Sequence, residues 1–225
     1  MANALLVIGK SGSGKSTSIR NLDPKRTFLI NAIGKELPFP GHRGMYTPWV
    51  SATGRGNMLS THDPLLIQKA LKTIPVKCPE VTTIIIDDLQ YMMSFELMAR
   101  AKEKGYEKYT EIAYNTFNVI RTAQELPPHL TVIFLSHSEI ETENGVQMTK
   151  VKTVGKMLDS QIVLEGLFTV VLYAVAEMEN KVIRHHFITQ SDGTTTCKSP
   201  MGMFPSLRID NDLAQVLNYM NKYGE

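Results

Sequence analysis

The sequence predicts an α/β fold: a mainly parallel central sheet flanked by helices, with antiparallel strands added at the C-terminal end. Three observations carry this expectation. Short apolar, β-branched runs alternate with helical patterns as far as Leu135. A glycine-rich turn joins the first such run to the first helix, and the tail is strand-rich with hairpin spacing. Strands separated by helices favour parallel pairing, whereas strands joined by tight turns pair antiparallel. The 225 residues can bury a sizeable core without disulfide staples, and no linker interrupts them, so residues 1–225 are expected to form one domain.

Taken in order, Ala4 to Ile8 is an apolar strand, followed by a helix from about Lys15 to Asn21, and Thr27 to Asn31 is a second short strand. Residues 34–62 hold Pro38, Pro40, Gly41, Gly44, Pro48, Gly54 and Gly56, breaker chemistry that predicts an unusually long loop. Asp63 and Pro64 open a helix as N-cap and first residue, and it is expected to stop before Pro75. Val81 to Ile86 is a buried strand. Leu89 to Leu126 is helical with a break near Gly105 and an end at Pro127 and Pro128. Thr131 to Leu135 is another buried strand. Phe168 to Val175 and Lys181 to Ile188 form a hairpin across Glu179 and Asn180, then come a strand near Thr194 to Lys198 and a closing helix from Asp210 to Tyr219.

Composition excludes several classes. With 24 Lys+Arg against 22 Asp+Glu, a net charge of +2 is too small for bulk affinity to nucleic acid, so any polyanion site must be local. Two cysteines, Cys78 and Cys197, with no CxxC spacing fit a reducing compartment. The longest nearly apolar stretch, Gly166 to Ala176, is far short of the ~20 residues that cross a bilayer. The opening MANALLVIGK runs into a motif instead of a cleavage site, so a soluble, intracellular protein is expected.

That motif is Gly9-Lys10-Ser11-Gly12-Ser13-Gly14-Lys15-Ser16-Thr17, which satisfies G-x-x-x-x-G-K-[ST] between a predicted strand and a predicted helix. Glycines let backbone N–H groups converge on phosphate oxygens, Lys15 reaches the β and γ phosphates, and Ser16 can ligate Mg²⁺. The plain alternative is an ordinary glycine-rich turn. A phosphate-binding loop calls for an acid at the tip of a later buried strand, and TTIIIDDLQ supplies Asp87 for the metal shell and Asp88 beside it. Asp88 is either a group that orients or deprotonates water or the N-cap of the next helix. Ser136-His137 end the following strand on the same sheet edge, where His137 is a candidate γ-phosphate sensor or a merely solvated histidine.

Beyond it, EIETENGVQMTKVK centres on Asn144-Gly145, a strong hairpin signal of type I′. Pairing Glu143 with Val146 places Glu139 opposite Lys150 and His137 opposite Lys152. Between Asn144 and Leu158 stand Lys150, Lys152 and Lys156 and no acid. This hairpin is expected either to couple nucleotide state to a polyanion or neighbouring subunit, or to serve solubility as a solvated edge. Aromatics for base stacking are missing from it. His185 and His186 adjoin on one strand and so face opposite sides, which argues against a two-histidine metal site.

On GKSGSGKST, IIIDD, FLSH, KTVGKMLDSQI and TTTCKSPMGMF, the chain resembles the RecA-like P-loop ATPases of bacteriophages, in particular short Sak4-type, Rad51-like single-strand annealing recombinases and their AAA-type relatives. The resemblance implies a RecA-like core, ATP with Mg²⁺ as cofactors, hydrolysis of ATP, and assembly into rings or filaments in the cytoplasm of a bacterial host. It also implies single-stranded DNA as a partner, and a phage single-strand-binding protein as a possible second. By position, His137 would be the sensor, residues 139 to 153 the DNA loop, and Lys198 a residue acting on a neighbour's nucleotide. Such proteins usually carry a catalytic acid at the end of the second strand, where this chain has Asn31-Ala32-Ile33, so Glu36 or Asp88 would substitute. Where the terminal motif often has an arginine, this chain has Pro200. Two rivals share the P-loop. One is a small-molecule kinase, against which the arginines are scattered; the other is a nucleotide-gated assembly or loading factor with little hydrolysis.

Overall fold

The computed structural model describes residues 2–143 and 145–224. Its centre is a sheet of strands β1 (Asn3–Gly9), β2 (Thr27–Asn31), β3 (Met58–Ser60), β4 (Thr83–Asp87), β5 (Thr131–Glu143), β7 (Val170–Glu179), β8 (Val182–Ile188) and β9 (Arg208–Asp210), in the spatial order β3-β2-β4-β5-β1-β7-β8-β9; β6 (Val146–Val151) pairs with the outer half of β5. From β3 to β7 the pairing is parallel, and β8 and β9 add antiparallel. This is the expected fold class.

Because side chains alternate along a strand, each buried strand feeds two cores. Leu6, Ile8, Phe28, Ile30, Ile84, Ile86 and Phe134 point to one face, which helices α2 (Pro64–Lys77), α3 (Leu89–Ala99) and α4 (Glu107–Gln124) cover. Leu5, Val7, Leu29, Ile85, Ile133 and Leu135 point to the other, closed by Ile19, Leu37, Phe39, Tyr46 and helix α5 (Leu213–Tyr223).

Several expectations shift. The helix after the glycine-rich turn is a six-residue 3₁₀ segment, Ser16–Asn21. Consecutive hydroxyl residues compete for its backbone, Ser18 Oγ donating to the Lys15 carbonyl, and Pro24 forbids extension. The long loop at 34–62 is largely built: Leu37, Phe39 and Tyr46 are buried, one helical turn α1 (His42–Met45) forms, and β3 pairs with β2. Helix α2 opens as expected, Asp63 accepting from the N–H groups of Leu65 and Leu66, but runs past Pro75 to Lys77. Buried Leu71 and Ile74 hold its last turn in place, so the proline removes one hydrogen bond without ending the helix. No ladder forms over Thr194 to Lys198 among the described residues: Thr195 bridges to Thr149 and Lys198 to Val171, so the segment crosses between two strands and follows neither.

The β5–β6 hairpin has the expected register, Glu139 opposite Lys150 and Glu143 opposite Val146. Asn144 of its predicted turn lies outside the described residues. In the β7–β8 hairpin, Asn180 and Lys181 are the left-handed pair (φ 50° and 65°), one residue beyond the expected turn.

Candidate nucleotide site

Parallel pairing brings the strand tips to one edge: Asn31 lies beside Asp87, and Gly9 beside both His137 and Ala174. The glycine-rich loop turns back over that edge. A Cβ on Gly9 would stand 2.5 Å from Ser13 Oγ and 2.8 Å from the Ala174 carbonyl, so only glycine lets the loop close this tightly on β7. Gly14 has φ +91°, and a Cβ there would meet His185 Nδ1 at 2.9 Å.

Lys15 is buried and its ammonium donates to the carbonyls of Gly9 at 2.8 Å and Lys10 at 3.0 Å. Burial pulls its pKa down to about 8, against the opposing charges of Asp88 and Asp87. Ser16 Oγ donates to Asp87 Oδ1 at 3.1 Å, across the position of β5 in the sheet. Asp87 is fully buried, and its Oδ2 has no hydrogen-bond partner among the described residues. Burial, and then the charge of Asp88, push its carboxyl well above the usual range. A hydroxyl and a carboxylate with an orphaned buried oxygen form the hard-oxygen donor set that Mg²⁺ takes, so these residues fit the ion.

Asp88 has left-handed backbone (φ 64°, ψ 44°), which aspartate tolerates better than most residues. It stands at the N-cap position of α3, yet its side chain caps no backbone N–H among the described residues, which removes the capping alternative. The carboxylate instead lies 2.5 Å from Lys35 Nζ and 3.5 Å from His137 Nε2, with a side chain 1% exposed. Burial alone would raise its pKa, but the His137 and Lys35 contacts outweigh that and hold it below the usual carboxylate range. His137 is not a solvated strand end; it is 16% exposed, with the Tyr91 ring edge-on at 5.6 Å. Residues 11–17, Lys35, Glu36, Asp88, His137 and His185 line one cleft of about 350 Å³, within the range of small-ligand sites. Glu36 sits on its rim, exposed and ion-paired with Arg43, which holds its carboxyl low.

Sequence reasoning missed two of these residues. Lys35 follows Gly34 just after β2, where the resemblance expects an acid, and that departure was the available signal. Asn31, at the end of β2, donates through Nδ2 to the Lys35 carbonyl at 2.7 Å and accepts from the Gly34 N–H at 2.9 Å, fixing the loop that presents Lys35. By sequence His185 presents itself only as a metal-ligand candidate, because its place against Gly14 depends on how β8 returns. His186 sits elsewhere, buried, 3.7 Å from Glu177 Oε2.

The other expected site residues lie outside this cleft. Lys150 is 13% exposed and ion-paired with Glu141 and Asp159, whereas Lys152 and Lys156 are exposed. Lys198 is tied by its backbone to Val171 on β7, at 2.8 and 3.0 Å. No helix among the described residues is long and apolar enough to cross a membrane.

A glycine-rich phosphate loop at the tips of parallel strands, with its lysine, hydroxyl and strand-tip carboxylate converging, defines a P-loop nucleotide-binding domain. The AAA_24 family (AAA domain) matches residues 1–201, and the chain belongs to that family of P-loop ATPases. No curated protein matches the chain. Among solved structures it is similar to a KaiC-like protein of the hyperthermophilic archaeon Pyrococcus horikoshii, at 9% identity and TM-score 0.45 over 83% of this chain and 77% of that one.

Proposed function

We propose that the chain is a magnesium-dependent ATPase that works with single-stranded DNA in phage recombination or replication. The observation that supports hydrolysis best is the approach of Ser16 to Asp87 beside Lys15, with Asp88 and His137 in the same cleft. Backbone N–H groups of residues 11–16 and Lys15 would bind the phosphates, and Ser16 and Asp87 would hold Mg²⁺, which when bound supplies charge neutralisation at the β and γ oxygens. Asp88 orients the attacking water and His137 senses the γ phosphate. Catalysis of this kind is mostly positioning and electrostatics. Lys15→Ala is expected to abolish phosphate release and ATP binding; undiminished turnover in that variant would overturn the assignment.

The DNA reading rests on the resemblance and on the lysine-bearing hairpin that continues from the His137 strand. Self-association, with Lys198 acting on a neighbour's nucleotide, belongs to the same reading. Single-strand binding by the wild type and by Lys150→Ala/Lys152→Ala across a salt series tests it. The double variant should bind more weakly with a shallower salt slope, and equal affinity and slope would remove the hairpin from the reading.

A second reading, a nucleotide-gated assembly or loading factor with little turnover, is favoured by one observation. Asp88 is covered by Lys35, and the end of β2 carries an amide in place of an acid. ATP-driven assembly without phosphate release would select it.

A further inference from the structure

We propose that Lys35 is a γ-phosphate-binding residue that exchanges one anion for another: paired with Asp88 in this structure, it transfers its ammonium to the terminal phosphate of a nucleoside triphosphate. The inference rests on the nucleotide-binding reading above and adds to it what makes the site distinguish triphosphate from diphosphate.

Three observations carry it. First, Lys35 Nζ lies 2.5 Å from Asp88 Oδ2 while its side chain remains 44% exposed, so it is anchored only at its tip. Second, Lys35 lines the same cleft as residues 11–17, His137 and Asp88, so its flexible four-carbon stem can reach a ligand there without leaving the cleft. Third, its backbone is fixed independently of its side chain, because Asn31 binds the Lys35 carbonyl and the Gly34 N–H. A loop held at its backbone, with a half-exposed cationic side chain fastened through one ion pair, suits a side-chain switch.

Anion exchange follows from charge. Lys15, Lys35 and Asp88 line the cleft, Asp87 lies buried beside it with Ser16 donating to its carboxylate, and Glu36 is already taken by Arg43. A terminal phosphate carries more negative charge than one carboxylate and offers three acceptor oxygens, so it competes for Lys35. Once Lys35 moves, Asp88 keeps His137 as neighbour and faces the cleft. A diphosphate has no group at that position and leaves the Lys35–Asp88 pair intact.

The test is the affinity of the full chain for fluorescently labelled ATP and ADP, measured for wild type, Lys35→Ala and Lys35→Arg. Lys35→Ala should lose about tenfold or more in ATP affinity, the worth of one charge-assisted contact, with ADP affinity unchanged. Lys35→Arg should recover part of the ATP preference. An unchanged ATP-to-ADP ratio in Lys35→Ala would overturn the proposal. So would a parallel fall in both affinities, since a residue that merely stabilises Asp88 cannot tell the nucleotides apart. Should removal of the lysine beside a buried carboxylate prevent folding, Lys35→Ala/Asp88→Asn against Asp88→Asn gives the same ratio without the orphaned charge. A wild type that binds neither nucleotide overturns the nucleotide-binding reading itself, an outcome distinct from wild-type binding with an unaltered ratio in the variant.

Discussion

Lys15 gives its donors to two neutral carbonyl oxygens, those of Gly9 and Lys10, which phosphate oxygens would outcompete because they add a full opposite charge to the ammonium's hydrogen bonds. Asp87 is the complementary case, a buried carboxylate lifted in pKa with one oxygen lacking a partner among the described residues. Folding tolerates it at a cost, so Asp87→Asn is expected to raise stability by roughly 1–3 kcal/mol while losing magnesium-dependent nucleotide affinity. Urea unfolding followed by the single tryptophan, Trp49, which packs edge-on against Phe28 at 5.2 Å, checks the first part, and labelled-ATP titration with and without EDTA checks the second. Gly14→Ala should abolish nucleotide binding with the fold retained by circular dichroism, since φ +91° and the His185 ring both oppose a side chain there. The residue types of the P-loop and of Asp87 were legible because their chemistry demands them at a set spacing. Lys35 was not, because its meeting with Asp88 joins a loop to a strand tip 53 positions further along the chain and depends on how Asn31 folds that loop.

At the scale of elements, those with a strong local signal were the most readable. Asp63-Pro64 marked the start of α2, and Asp63→Ala is expected to cost about 1 kcal/mol in chemical denaturation through loss of its bonds to the N–H groups of Leu65 and Leu66. The three-residue strands β3 and β9 carry too few residues to show a period, and tertiary pairing defines them. Pro75 misled because burial of Ile74 outweighs one lost backbone bond. In the hairpin, register followed from the turn signal, but the fate of Lys150 did not, since its second partner, Asp159, comes from a later turn. Lys150→Ala should therefore lower stability by roughly 1 kcal/mol, whereas Lys152→Ala should leave it unchanged and carry most of the double variant's loss in DNA affinity. Thermal melts and salt-series binding of the two single variants separate these effects.

For the molecule as a whole, the two cores share one sheet, so cavity formation in it should weaken both layers together. Phe134→Ala, at a fully buried position packed against Phe168 at 5.3 Å, is expected to cost about 3–5 kcal/mol with a single cooperative transition seen by both fluorescence and circular dichroism. The fold class was visible from alternation alone, whereas the spatial order of the strands was not, because long connections leave neighbours undetermined. That order places β5 between the phosphate-loop strand and the Asp87 strand, and β5 continues past His137 to Glu143. An extended strand rises about 3.3 Å per residue and cannot shorten, so the six steps from His137 to Glu143 act as a stiff arm of about 20 Å. A tilt of roughly 10° where His137 touches the cleft would sweep the far end of that arm by about 3.5 Å. Events on the scale of one phosphate would then become displacements of several ångströms at the hairpin tip, geared by strand length alone.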